Sequence, residues 1–212
     1  MTVLMPEGTR ERLILTAEQL FASKGIESVS LREIARTAGQ KNVAALQYHF
    51  GDREGLFSAI LEYRMSGIEQ VREGMLREAD NSGAGDNMRE LVRCLVVPMM
   101  EHIRSAGPDS HYIEFLARLQ VSFPAFLENE NRNKPWQQRV LEISNRLEPF
   151  VPASDPLLRQ QRQLMMGACM IHSVAAFERG LREGRYQIAG LDSFAGNLVD
   201  ALCGILSAAH VS

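Results

Sequence analysis

Apolar side chains recur at three- and four-residue steps almost from end to end of this chain. The alternation expected of half-buried strands is nearly absent, so the pattern predicts an all-α fold. Leu13, Ala17, Leu20 and Phe21 share one stripe, which predicts a first helix from about Thr9 to Lys24 with Gly25 as its stop. Ser30-Leu31-Arg32-Glu33 has the form of a capping box and opens a second helix that buries Leu31, Ile34, Ala35 and Ala38 and ends at Gly39. A short third helix, about Val43 to Phe50, turns Val43, Leu46 and Phe50 inward. Asp52 then caps a long fourth helix that runs to about Glu78.

The stretch ADNSGAGDN, residues 79–87, is the most linker-like in the chain. Beyond it the periodicity predicts helices at about 88–105, kinked by Pro98, and at 109–121, 135–148, 156–183 and 190–209. Neither an internal repeat nor a low-complexity segment is visible. The expected organisation is a three-helix N-terminal domain, residues 1–52, and a C-terminal helical bundle, residues 53–212, with the fourth helix running on from the first domain.

Charge narrows the possible functions. The chain has 23 Lys and Arg against 26 Asp and Glu, so it has no overall attraction for polyanions. Residues 1–60 are also balanced, so any nucleic-acid contact must come from a local face, with Glu7, Glu18, Glu27 and Glu33 turned away from it. The 3 cysteines are far apart, fit no metal spacing and make no disulfide framework, which points to a reducing cytoplasm. The apolar run at 164–177 is too short to span a bilayer, and the first residues do not read as a secretory signal. No cofactor or metal is expected, and neither is a membrane partner.

A helix, a turn opened by glycine and a short second helix with an apolar inner stripe make a helix-turn-helix unit. The run TRERLILTAEQLFASKGIESVSLREIARTAGQKNVAALQYHFGDREGLFSAIL resembles the N-terminal domain of TetR-family transcriptional regulators. The likeness lies in Leu20-Phe21 and Gly25, Ser30 through Ile34-Ala35, Ala38-Gly39, and Tyr48-His49-Phe50 followed by Arg53-Glu54 and Leu56. It covers about a quarter of the chain and is specific in combination. The turn before Leu46 is one residue longer than the common form, and Gln47 stands where the family usually has tyrosine. On this reading Lys41, Asn42, Ala44 and Gln47 reach base edges, while Tyr48, His49 and Arg53 meet phosphates. Ser30 and Arg32 meet the backbone or a flanking base. The plainer alternative has Tyr48 and His49 bracing the junction of the third and fourth helices.

Two features of the C-terminal part carry information. The last two helices have more apolar surface than a monomer needs: Leu191, Phe194, Leu198, Leu202, Ile205 and Ala209 form one stripe, with small residues such as Ala201 and Gly204 beside it. Both the pattern and the resemblance imply a homodimer through these helices. The resemblance also implies an effector pocket in the bundle, for which Met99, His102, Phe115, Arg118, Leu119, Trp136, Met166, Met170 and His172 are the candidates. They suit a mostly apolar small molecule with one anionic or hydrogen-bonding group near Arg118 or His172, and each could equally be ordinary core. The expected function is thus a ligand-responsive repressor released from a palindromic double-stranded DNA operator. One alternative is an all-α small-molecule-binding protein that no longer reads DNA. The other, an enzyme using His102, His111 or His172, has no supporting carboxylate spacing.

Overall fold

The structure, a computed structural model, describes residues 8–127, 134–152 and 155–209. Among them no strand occurs, and the helices are α1 (Thr9–Lys24), α2 (Leu31–Thr37), α3 (Ala44–Phe50), α4 (Arg53–Asn81), α5 (Met88–Ala106), α6 (Tyr112–Ser122), α7 (Gln138–Leu147), α8 (Pro156–Arg182) and α9 (Leu191–Ser207). The all-α expectation holds, and the predicted boundaries are met to within a few residues. Glu7 lies outside the described residues.

Local chemistry sets where helices start. The Ser30 hydroxyl oxygen accepts from the Glu33 amide at 3.1 Å, Asp52 Oδ1 from the Gly55 amide at 2.8 Å, and Asn87 Oδ1 from the Arg89 amide at 2.9 Å. Gly51 ends α3 with φ of 75°, a region that disfavours a side chain. Gly55 is needed for space: a Cβ there would stand 1.9 Å from the Phe50 carbonyl oxygen, so α4 could not begin so close to α3.

The start of α6 is capped from elsewhere in the chain. Glu178 on α8 accepts from Ser110 Oγ at 2.5 Å and from the amides of Glu114 at 2.8 Å and Ile113 at 3.2 Å. This carboxylate is 1% exposed, and burial pushes its pKa up despite those bonds. In α5, Pro98 has no N–H to offer the Cys94 carbonyl one turn back. Arg72 Nε from α4 donates to that oxygen instead, at 3.2 Å, so the proline break ties α5 to α4.

One apolar core runs through the chain. At its N-terminal end Leu13, Ile14 and Phe21 of α1 meet Ile34 of α2, Leu46 of α3 and Leu56 and Phe57 of α4. An aromatic seam carries it onward: the Phe21 ring lies 5.4 Å from Phe57 and 5.9 Å from Phe115, and Phe57 lies 5.3 Å from Phe123. Helices α1 and α6 pack together, as do α4 with α5, α6 with α8, and α9 with both α5 and α8. The predicted α9 stripe therefore faces inward: Leu191, Leu198 and Leu202 are buried within the single chain, and Phe194 stacks on Phe177.

Candidate nucleic-acid interface and interior cavity

The face of α3 follows from how little of it is anchored. Leu46 is 2% exposed and seats the helix, with Val43 and Phe50 half-buried beside it. Ala44, Gln47 and Tyr48 are exposed, Tyr48 to 84%, far more than a bracing tyrosine needs. The His49 ring lies 5.1 Å from Tyr48 and 5.9 Å from Phe50, so it is held edge-on at the helix end. Asn42 is exposed, but its Oδ1 accepts from the Ala44 amide at 2.9 Å and starts α3. Lys41, Arg32 and Ser30 are exposed as well, and the Ser30 hydroxyl caps α2.

Arg53 departs from the sequence expectation. Its guanidinium donates to the carbonyls of Ile26 at 2.8 Å and Val29 at 2.6 Å and lies over the Phe21 ring. With those donors directed at the α1–α2 turn, Arg53 holds that turn against α4 rather than presenting its charge outward. The acids of the first helices are also engaged. Glu18, 3% exposed, is gripped by Arg64 at 2.7 and 2.8 Å, Glu11 accepts from Tyr63, and Glu33 accepts from Lys24 at 2.7 Å. The Lys24 ammonium holds Glu33 below the usual carboxylate range.

Behind this domain, a cavity of about 210 Å³ lies among α4, α5, α6, α7 and α8. Met99, Trp136 and Met170 line it, together with Leu61, Met65 and Val140. Its polar groups are Arg72, Tyr112, Gln120 and Gln137, none of which sequence reasoning selected. Tyr112 is fully buried, and neither its hydroxyl nor Gln120 Oε1 has a hydrogen-bond partner among the described residues. The one available signal was Arg72, a basic residue in the buried register of Met65 and Ile68.

The other sequence candidates are dispersed. Phe115 and Leu119 are fully buried on the face of α6 turned from the cavity, Phe115 in the aromatic seam. Met166 is buried without lining the cavity. His102 packs edge-on against the Tyr112 ring at 5.3 Å and lines a separate groove beside Pro98. Burial lowers its pKa to about 4, so the imidazole is neutral. Arg118 and His172 border a different hollow, between α6 and α8 and open toward Gly25 and Ile26, so the polar group expected near them does not reach the cavity. No group of three or more His, Cys, Asp or Glu is arranged to hold a metal among the described residues.

Comparison with known proteins agrees with this geometry. The model of the family described as bacterial regulatory proteins, tetR family, matches residues 13–60. The HTH-type transcriptional regulator AcrR of Shigella flexneri is 40% identical over 63 residues, 30% of this chain and 29% of that protein. The HTH-type transcriptional repressor AcnR of Corynebacterium glutamicum is 31% identical over 84 residues, 35% of this chain and 44% of that protein. The match thus spans less than half the length of either relative. Over 92% of this chain and 93% of the other, the fold is similar to that of NalD, the secondary repressor of the MexAB-OprM multidrug efflux pump in Pseudomonas aeruginosa, with a TM-score of 0.53 and 26% identity. A protein from Rhodococcus sp. described as a TetR-family transcriptional regulator covers 92% of this chain at a TM-score of 0.53, and at 17% identity it speaks for the fold alone.

Proposed function

We propose that the protein is a cytoplasmic, homodimeric repressor that binds a palindromic operator and is released from it by a small molecule, a reading supported by the match of residues 13–60 to the tetR family of bacterial regulatory proteins. Residues 1–52 form its DNA-reading part, and residues 53–212 hold the effector and the dimer contact. The observation that carries this reading is the outer face of α3. Ala44, Gln47 and Tyr48 stand exposed on a helix fixed from behind by Leu46, as a major-groove reader requires. Gln47 suits an adenine edge, Ala44 a thymine methyl, and Tyr48, His49, Ser30 and Arg32 suit phosphates or a flanking base.

The same fold supports a route for release. On α6, Tyr112, Leu116 and Gln120 face the cavity, whereas Phe115 packs on Phe21 of α1. A ligand that displaces α6 or α4 therefore acts on the helix-turn-helix core and changes the spacing of the two recognition helices. Weakening DNA binding about a hundredfold requires that the ligand prefer the altered conformer by about 2.7 kcal/mol. Selection of bound duplexes from a random pool tests the reading. The wild type should enrich a palindrome, Gln47→Ala should lose preference at one base pair of each half-site, and Tyr48→Ala should bind every sequence more weakly. Failure to retain any duplex would favour a small-molecule-binding protein without DNA function.

A further inference from the structure

The walls of the interior cavity specify a ligand more narrowly than "mostly apolar". An apolar cavity of about 150 Å³ holds a benzene, so about 210 Å³ suits one ring with a short substituent. Met65, Met99, Met170 and Leu61 supply adaptable apolar contact for such a body. Tyr112 and Gln120 stand two turns apart on the cavity face of α6 and bring a fully buried phenol hydroxyl and an amide oxygen, both without partners among the described residues. An unmade hydrogen bond in a buried place is costly, so these atoms mark where a ligand's polar group belongs.

Charge narrows the choice further. Among the described residues Arg72 is the only basic side chain on the cavity wall; it is 2% exposed and already paired with Glu69. A carboxylate ligand would have to displace Glu69 or sit beside it, and the displaced charge would remain half-buried. Resting on the reading of this chain as an effector-responsive regulator, we propose that the cavity binds an uncharged molecule of one-ring size bearing a hydroxyl, with Tyr112 and Gln120 as its hydrogen-bond partners. A hydroxyl can accept from the phenol or donate to the amide oxygen, whereas a hydrocarbon can do neither and a carboxylate can only accept.

Calorimetric titration of the full chain with para-ethylphenol, ethylbenzene and para-methylbenzoate near neutral pH tests the assignment without DNA. Para-ethylphenol should bind tightest, and Tyr112→Phe should weaken it about tenfold while leaving ethylbenzene unchanged. The assignment is overturned by equal affinity for ethylbenzene, by tighter binding of para-methylbenzoate, by no binding of any probe, or by a folded Tyr112→Phe that binds para-ethylphenol as the wild type does. If thermal melts show Tyr112→Phe to be unfolded, Gln120→Leu takes its place with the same criterion. A mobility-shift assay separates the two readings: para-ethylphenol binding by the stated pattern, without any release of DNA, supports the ligand class and sinks the repressor mechanism.

Discussion

Arg53 and Tyr48 lie close in the sequence, and each was expected at a phosphate, yet the fold uses them in opposite ways. Tyr48 projects 84% exposed, whereas Arg53 bonds two carbonyls of the α1–α2 turn. Arg53→Ala should therefore lower stability by roughly 2 to 3 kcal/mol, because two half-buried carbonyls lose a charged donor. Arg53→Lys should recover little of this, since one ammonium does not reproduce the fork. Thermal melts check both, and an unshifted midpoint for Arg53→Ala would return the residue to the DNA face. The sequence shows capping residues such as Ser30 and Asp52 because their partners lie three residues away. It cannot show that a guanidinium after α3 meets carbonyls before α2, since that contact depends on how the helices pack. Tyr112 and Gln120 escaped notice for the same reason. Their side chains are ordinary in a helix, and only a cavity with no partner beside them makes them informative.

Periodicity made the helices themselves legible: α1 was expected from about Thr9 to Lys24 and spans Thr9–Lys24. The pattern also marked Pro98 as a break in α5, but not that α4 completes the break. Arg72 fills the acceptor that Pro98 leaves open at Cys94, so the two residues are energetically linked across elements. Arg72→Met should destabilise by roughly 3 kcal/mol, since it strands both the Cys94 carbonyl and the half-buried Glu69. Pro98→Ala offers that carbonyl a helical amide, so the loss caused by Arg72→Met should shrink by about 1 kcal/mol in the Pro98→Ala background. Urea unfolding of the four proteins in this cycle measures the coupling, and strictly additive losses would show that Arg72 does not serve the break. The cap that Glu178 supplies to α6 is a second link of this kind, carried between helices far apart in sequence.

For the whole molecule, the sequence pointed to the last two helices as the dimer contact and to the α9 leucine stripe as its centre. In the proposed dimer these helices meet on their other face. Leu191, Leu198 and Leu202 are committed to the chain's own core, because a helix with two apolar sides gives its bulkier side to the closest neighbours, here α5 and α8. Left outside are Ala201 and Gly204 on α9 and Ala208 just past its end, with Leu157, Leu164 and Met165 on α8 at 57%, 65% and 55% exposure. Small residues on one helix and large apolar ones on the next make a surface suited to a close four-helix contact about a two-fold axis. Beside them Cys203 and Ile205 of α9 are only partly buried in the single chain, which leaves apolar surface for such a contact. Leu164→Glu should therefore give a folded monomer by light scattering, with helical circular dichroism retained, whereas Leu202→Glu should unfold the bundle. The monomer should also lose the palindrome, because recognition helices about 34 to 36 Å apart are needed to engage successive major grooves together. A Leu164→Glu protein that remained dimeric at micromolar concentration would move the contact off this face of α8.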